Sequence, residues 1–339
     1  MRDKMSYIQR TADRIVDFND TDWNMNMGSF DWVPGVGLYG VYLAYEKTAQ
    51  PKYLDYLINW TDKFLDHAYD KKTVNSTAPL LTVIELYKIT KNEKYLKVCL
   101  DIAEYITNEA PLTREGGLEH TVTEAVEGFS EQIWADTLFM VCIFLSKIGK
   151  LGNPKYSDFA VKQLQIHHKL LADDKTNLYY HGWNCALKNH MSGVYWGRAN
   201  AWIIYSTMEI LNTLGDFEGR GAIEEYVRKH SKALAKVQRA DGTFGTVLDD
   251  ESSYTEVSAT SGIIAGIKKA VKAGIIEESY NELCGRGIES VKGYIRENGE
   301  VDGVSTGTPV MPDKEAYKNI PLTATLYGQG LAIAALAEF

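Results

Sequence analysis

Two stretches of the chain place polar chemistry in apolar company. In "QIWADTLFMVCIFLSK", residues 132–147, apolar side chains fill nearly every turn of an expected helix, yet Asp136 sits among Ile133, Phe139 and Met140. A carboxyl projecting from such a face is desolvated, which raises its pKa and suits a general acid near neutral pH. The same residue also fits a helix start, where backbone N–H groups favour an ionised carboxylate. The second stretch is "YYHGWNCALKNHMSGVYWGRANAW", residues 179–202, where His181, Trp183, His190, Trp196, Arg198 and Trp202 crowd a loop that leads into a helix. A guanidinium flanked by indoles makes a carboxylate and sugar receptor, because its fork binds two oxygens while aromatic faces cover the ring. A Trp-packed structural loop with one outward Arg is the other reading.

Weaker candidates lie elsewhere. "FDWVPGVGLYGVYLAYE" (30–46) enters a helix through Pro34 and Gly35 and puts Trp32 and Tyr39 near its mouth; a helix cap plus core packing accounts for most of it. "GGLEHTVTE" (116–124) carries His120 in a polar loop just before the Asp136 helix, and "TVNSTAPLL" (73–81) has Asn75 at a helix entry. The small-residue loop "GVSTGTP" (303–309) can approach a ligand closely or simply turn. His167 and His168 are adjacent and so point apart on a helix, and no HExxH, GxSxG or P-loop pattern occurs. "GVGLYG" does not follow a strand, so no dinucleotide site is expected.

The elements that position these residues read as helices. Apolar periodicity predicts them near 3–18, 35–48, 51–68, 78–89, 92–108, 130–148, 154–172, 198–214, 221–239, 257–273, 277–296 and 322–338. The "GTFGTVL" region allows at most a short hairpin. A weak repeat supports the count: "TAQPKYLDYL" (48–57), "TKNEKYLKVC" (90–99) and "KLGNPKYSDF" (150–159) each set a polar turn before a Lys-Tyr pair or its equivalent and a new amphipathic helix. A very apolar helix precedes each turn. Such alternation suits two concentric layers, with inner helices buried all round and outer ones along a stripe. The expected fold is therefore all-α, an (α/α)6 barrel or six-hairpin toroid, in one domain over residues 1–339. An α-solenoid competes, but the long connections at 109–129, 174–197, 240–256 and 297–321 suit active-site loops at one mouth of a toroid.

Composition narrows the partners. The net charge of −9, with no Lys/Arg run, argues against nucleic acid. The 21 Tyr and 7 Trp suit sugar stacking, although such rings more often fill cores. Cys99, Cys142, Cys185 and Cys284 are far apart without CxxC spacing and read as reduced thiols. The charged amino-terminal stretch lacks the apolar core of a secretion signal, and no run is long enough to span a bilayer. The expectation is a soluble cytoplasmic protein without metal, cofactor or membrane partner; the sequence sets no oligomeric state.

Taken together, "DWVPGVGLYGVYLAYE", "TVNSTAPLL", "IWADTLFM", "HGW", "YWGRANAW" and "EVSATSG", in this order, resemble the unsaturated glucuronyl and rhamnogalacturonyl hydrolases of glycoside hydrolase families 88 and 105, the second more than the first. The resemblance spans nearly the whole chain and implies an (α/α)6 barrel with no metal or organic cofactor. It implies hydration of the 4,5-unsaturated uronic acid that polysaccharide lyases leave at the non-reducing end of oligosaccharides. Asp136 matches the family's catalytic acid; Arg198, His181, Trp202, Tyr39 and His120 match substrate-contact positions, with Trp196, Asn75 and Trp32 as further binding candidates. Two departures stand out: Thr121 replaces a basic residue, which bears on a rhamnose-linked substrate, and Asn75 stands where some relatives have a second carboxylate. A non-catalytic glycan-binding barrel and a sugar epimerase using His181 and His190 are the alternatives.

Overall fold

The computed structural model describes residues 2–18, 20–124 and 128–339. In chain order the helices are α1 Arg2–Val16, α2 Trp32–Thr48, α3 Pro51–Phe64, α4 Val74–Thr77, α5 Leu80–Thr90, α6 Glu93–Asn108, α7 Ile143–Gly149, α8 Pro154–Leu171, α9 Gly197–Leu214, α10 Arg220–Val237, α11 Val257–Lys272, α12 Tyr280–Gly293, α13 Lys314–Lys318 and α14 Leu326–Ala337. A π-helical turn, Leu138–Cys142, leads into α7. Each of the twelve expected helices has a counterpart among the described residues, with α4 and α13 as short additions, but the one expected over 130–148 begins only at the π-helical turn.

The two layers follow from local sequence. In α2 the buried positions run continuously from Val33 to Val41 on every side, whereas α3 buries only the stripe of Tyr53, Leu57, Trp60 and Thr61. Between them Ala49 ends α2 in the left-handed region (φ 52°) and Pro51 starts α3 at its first turn, where a missing N–H costs nothing. Repeated along the chain, this pattern yields an inner ring in which α2, α5, α7, α9, α11 and α14 each pack on the next and α14 returns to α2. The helices α1, α3, α6, α8, α10 and α12 pack against the ring from outside. The fold is an (α/α)6 barrel.

Closure needs close backbone approach. A Cβ on Gly40 would lie 2.6 Å from the Cα of Gly330, so α2 and α14 meet at a glycine seam. Deeper in the ring, charges are paired across helices: Lys147 meets Glu85 at 2.8 Å, and Lys269 meets both Glu209 and Glu338 at 2.7 Å. The connections that enter the inner helices form the opposite end. They carry two small antiparallel sheets, β1 Gln132–Trp134 with β2 Gly182–Asn184 and β3 Val304–Ser305 with β4 Leu322–Thr323. Of the expected hairpin near "GTFGTVL", only isolated bridges form, Gly245 to Thr255 and Trp196 to Val247. In the connection at 109–129, residues 125–127 lie outside the described residues.

Candidate active site

A cavity of about 400 Å³ opens at the loop end of the ring. Every lining residue comes from a segment that precedes or begins an inner helix. Trp23, Asn24 and Trp32 come from the approach to α2, Asn75 from α4, and His120, Phe129, Trp134 and Asp136 from the approach to α7. Trp196 and Arg198 come from the start of α9, and Thr306 to Pro309 from the loop after β3.

Asp136 does not sit on a helical face as expected. "QIW" pairs with β2 instead of continuing the helix, and the chain turns at 135–136 before the π-helical turn. The Asp136 carbonyl accepts the N–H groups of Phe139 and Met140 at 3.0 Å, so the residue stands just outside the helix start. Register explains its neighbour. Trp134 lies opposite Gly182, and the Ala135 N–H donates to the His181 carbonyl at 2.9 Å, which brings His181 beside Asp136. Asp136 Oδ2 and His181 Nε2 are 3.2 Å apart but poorly aligned, leaving both atoms otherwise without a hydrogen bond. The other ring nitrogen, Nδ1, meets the Tyr317 hydroxyl at 2.8 Å.

The electrostatics settle a balance that the sequence left open between burial, which raises the carboxyl, and its neighbours, which lower it. Burial does push Asp136 up, but the contact with His181 and the nearby His181, His120 and Arg198 outweigh it and hold the carboxyl below its ordinary range. Burial is also the main influence on the two histidines: it takes His120 down to about 4 and holds His181 below its usual value despite the pull of Asp136. In the free protein near neutral pH the site thus holds an anionic Asp136 beside neutral imidazoles. His120 lies flat on Trp134, with ring centres 4.2 Å apart and planes 8° apart, and Trp196 packs on His181 at 4.1 Å.

Arg198 differs from a free carboxylate fork. Its Nη1 donates to Ser305 Oγ at 2.7 Å and lies 3.3 Å from Glu256 Oε1, while Nη2 donates to the Thr306 carbonyl at 3.1 Å and Thr308 Oγ1 at 3.2 Å. The guanidinium is sandwiched between Trp196 and Tyr327, 4.4 and 4.9 Å from the ring centres. It lines the cavity while holding the loop that forms the adjoining wall.

The structure brings Asp136, Asn75, His120, Trp32, Trp196 and Arg198 to the cavity. His181 is fully buried behind Asp136. Tyr39 and Trp202 are not on the wall: the Tyr39 hydroxyl donates to Glu209 at 3.0 Å inside the ring, and Trp202 packs on Phe139, ring centres 4.8 Å apart. Both sit on inner-helix faces that point into the core below the mouth. His190 donates to or accepts nothing in the cavity; its Nε2 meets the Leu170 carbonyl at 3.0 Å and its ring stacks on Tyr180, so the histidine pair of the epimerase reading is not assembled. Sequence reasoning missed Trp23, half exposed at the mouth, and Tyr317 behind His181. A tryptophan inside the polar run "NDTDWNMN" was the available signal for the first; the second gave none. Among the described residues no three His, Cys, Asp or Glu side chains group as a metal site, and no helix is long and apolar enough to cross a membrane.

A toroid whose mouth holds an aromatic-walled cavity with one deep, partly buried carboxylate defines a carbohydrate-active barrel. Relatives make this specific. The sequence profile of Glycosyl Hydrolase Family 88 matches residues 7–339. Over 313 residues the chain is 36% identical to the unsaturated rhamnogalacturonyl hydrolase YesR of Bacillus subtilis (strain 168), covering 91% of this chain and 89% of that protein. A solved structure of a possible member of the GH105 family from Salmonella enterica serovar Paratyphi A superposes with a TM-score of 0.94 at 32% identity, covering 100% of this chain and 94% of the other. The unsaturated glucuronyl hydrolase of Bacillus sp. GL1 shares the fold, with a TM-score of 0.77 at 17% identity over 99% of this chain and 94% of its own. The chain belongs to Glycosyl Hydrolase Family 88 and is a glycosidase.

Proposed function

We propose that the enzyme removes the 4,5-unsaturated uronic acid from the non-reducing end of lyase-generated oligosaccharides, rhamnogalacturonan-type or related, by hydrating the double bond, with Asp136 as acid and then base. The observation that carries this reading is the lone deep carboxylate. Among the described lining residues only Asp136 and Glu124 carry a carboxyl, and Glu124 is exposed. Asn75, also on the wall, is an amide and cannot serve as the second acid of a two-carboxylate glycosidase.

A vinyl ether needs only one such group. Asp136 delivers a proton to C4, and the ring oxygen stabilises the resulting cation at C5. Water adds at C5 and returns its proton to the Asp136 carboxylate. The C5 hemiketal opens to a ketone, and the hemiacetal freed at C1 expels the remaining saccharide as an alcohol. Binding supplies the missing proton affinity: the substrate carboxylate, placed in a desolvated cavity beside Asp136, raises the pKa that His181, His120 and Arg198 hold down. Trp32 and His120 provide flat surfaces for the ring, Trp196 closes the wall between Arg198 and His181, and His181 fixes the acid's orientation.

YesR is named for a rhamnogalacturonyl substrate. The Thr121 hydroxyl of this chain accepts the Val74 N–H at 2.8 Å and so ties α4 to the cavity wall, in place of offering a charge to the next sugar. We further read residues 1–339 as one barrel domain acting in the cytoplasm; four buried free cysteines suit a reducing compartment. The test is Asp136→Asn assayed on unsaturated disaccharides by loss of ultraviolet absorbance. Turnover should fall by roughly 10²–10⁴-fold with affinity within about tenfold. A variant keeping more than half of wild-type activity removes Asp136 from the mechanism.

A further inference from the structure

The cavity is proposed to take an anionic sugar, yet the one permanent cation among its described lining residues, Arg198, is buried against a carboxylate that the reaction does not use. That carboxylate is Glu256, fully buried at the start of α11. Its Oε2 accepts the Ala259 N–H at 2.5 Å; its Oε1 accepts the Ser305 N–H at 2.9 Å and lies 3.3 Å from Arg198 Nη1. Arg198 in turn binds the Ser305 hydroxyl and the Thr306 carbonyl. One buried ion pair therefore spans α9, α11 and the loop that walls the cavity. A helix cap alone would not need the guanidinium, and a substrate-binding guanidinium alone would be better placed without an opposing charge.

We propose that Glu256 is a positioning residue that holds Arg198 against the 304–308 loop and cancels its charge, so that the cavity receives an anionic sugar as an electrically balanced clamp. The inference rests on the reading of Asp136 as the acid. The groups that face Asp136 are His181 at 3.2 Å, His120 on Trp134, Tyr317 behind His181, Arg198, and Glu124 on the cavity wall. Both histidines are kept neutral by burial near neutral pH, so Arg198 is the fixed positive charge and Glu256 its counter-charge. An unbalanced guanidinium in this desolvated site would favour the Asp136 anion and retain anionic ligands. A general acid that must pick up a proton in each cycle works against both effects.

The experiment compares wild type, Glu256→Gln and the double variant Arg198→Gln/Glu256→Gln. Two quantities are read: kcat against pH on an unsaturated uronyl disaccharide, and affinities for D-glucuronate and D-glucose by calorimetry. In Glu256→Gln the alkaline limb of kcat should move down by about one pH unit and glucuronate should bind about tenfold tighter, with glucose unchanged. The double variant, balanced again, should return the limb to the wild-type position. If Glu256→Gln does not fold, Arg198→Gln replaces it, and its limb should move up instead. If Glu256 only caps α11, the limb stays in place and both sugars bind more weakly, which overturns the inference. Asp136→Asn separates the two levels: an active Asp136→Asn sinks the proposed function and this inference with it, while an inactive one with an unmoved limb in Glu256→Gln sinks this inference alone.

Discussion

Replacing Arg198 by Ala should cost more stability than any surface change, and the structure sets the scale. Arg198 is 1% exposed and Glu256 0% exposed, so removing the guanidinium strands a carboxylate that solvent cannot reach. Breaking a buried pair from one side costs about 3–5 kcal/mol, because the surviving charge is left uncompensated. The Ser305 and Thr306 carbonyls lose a donor in the same step. For a chain of 339 residues the loss corresponds to a fall in Tm of roughly 4–7 °C. Urea unfolding followed by tryptophan fluorescence, alongside thermal melts, measures it. Arg198→Ala/Glu256→Gln should recover about 2 kcal/mol of the loss, since the stranded charge is gone, although the loop stays loose. A single variant that melts within 1 °C of wild type, or a double variant no more stable than the single, would refute the claim that Arg198 and Glu256 act as a buried pair.

Other expectations follow from the packing and the titrations. Gly330→Ala should destabilise the barrel by about 1–3 kcal/mol, because the added Cβ would lie 2.3 Å from the Val36 carbonyl oxygen and push α14 off α2; an unchanged urea midpoint would mean that the seam is not tight. Acid should destabilise the protein through its buried histidines. His120 and His167 are held down to about 4 and His168 to about 3, chiefly by burial, so the unfolded chain binds more protons than the folded one below the ordinary value of 6.5. The stability they contribute is complete above about pH 6.5 and is lost as pH falls toward 4, with each costing about 2 kcal/mol by pH 5. Urea midpoints between pH 7.5 and 5 check this, and His168→Gln should flatten the slope; a midpoint that rises on acidification contradicts the reading.

The helices were legible because periodicity is a local property. The alternation of α2, buried all round, with α3, buried on a stripe, is written in consecutive residues, and it was enough to give the ring. What failed was set by pairing across distance. "QIW" reads as helix because apolar residues continue on either side, and only its partner, 50 residues on at "GWN", makes it a strand and moves Asp136 off the helical face. The same pairing delivers His181, and with it the pull that outweighs burial on the acid. Glu256 sits in "EVSATSG", a stretch that carries the family resemblance but no chemical signal of its own, since its importance lies in where Arg198 and the 304–308 loop arrive in space. Tyr39 and Trp202 were expected at the substrate, but one turn of helix decides whether a side chain faces the mouth or the core.

Hydration of the double bond is tested most directly by where solvent atoms enter the product. A saccharide with an unsaturated uronic acid at its non-reducing end, turned over in heavy water, should yield a monosaccharide carrying deuterium at C4. In ¹⁸O water the label should appear at C5, read by mass spectrometry before the ketone exchanges. The saturated uronide with the same linkage should not be cleaved, because it offers no double bond for Asp136 to protonate. Label found at C1, or comparable rates on the saturated compound, would contradict hydration and return the cavity to attack at the anomeric carbon.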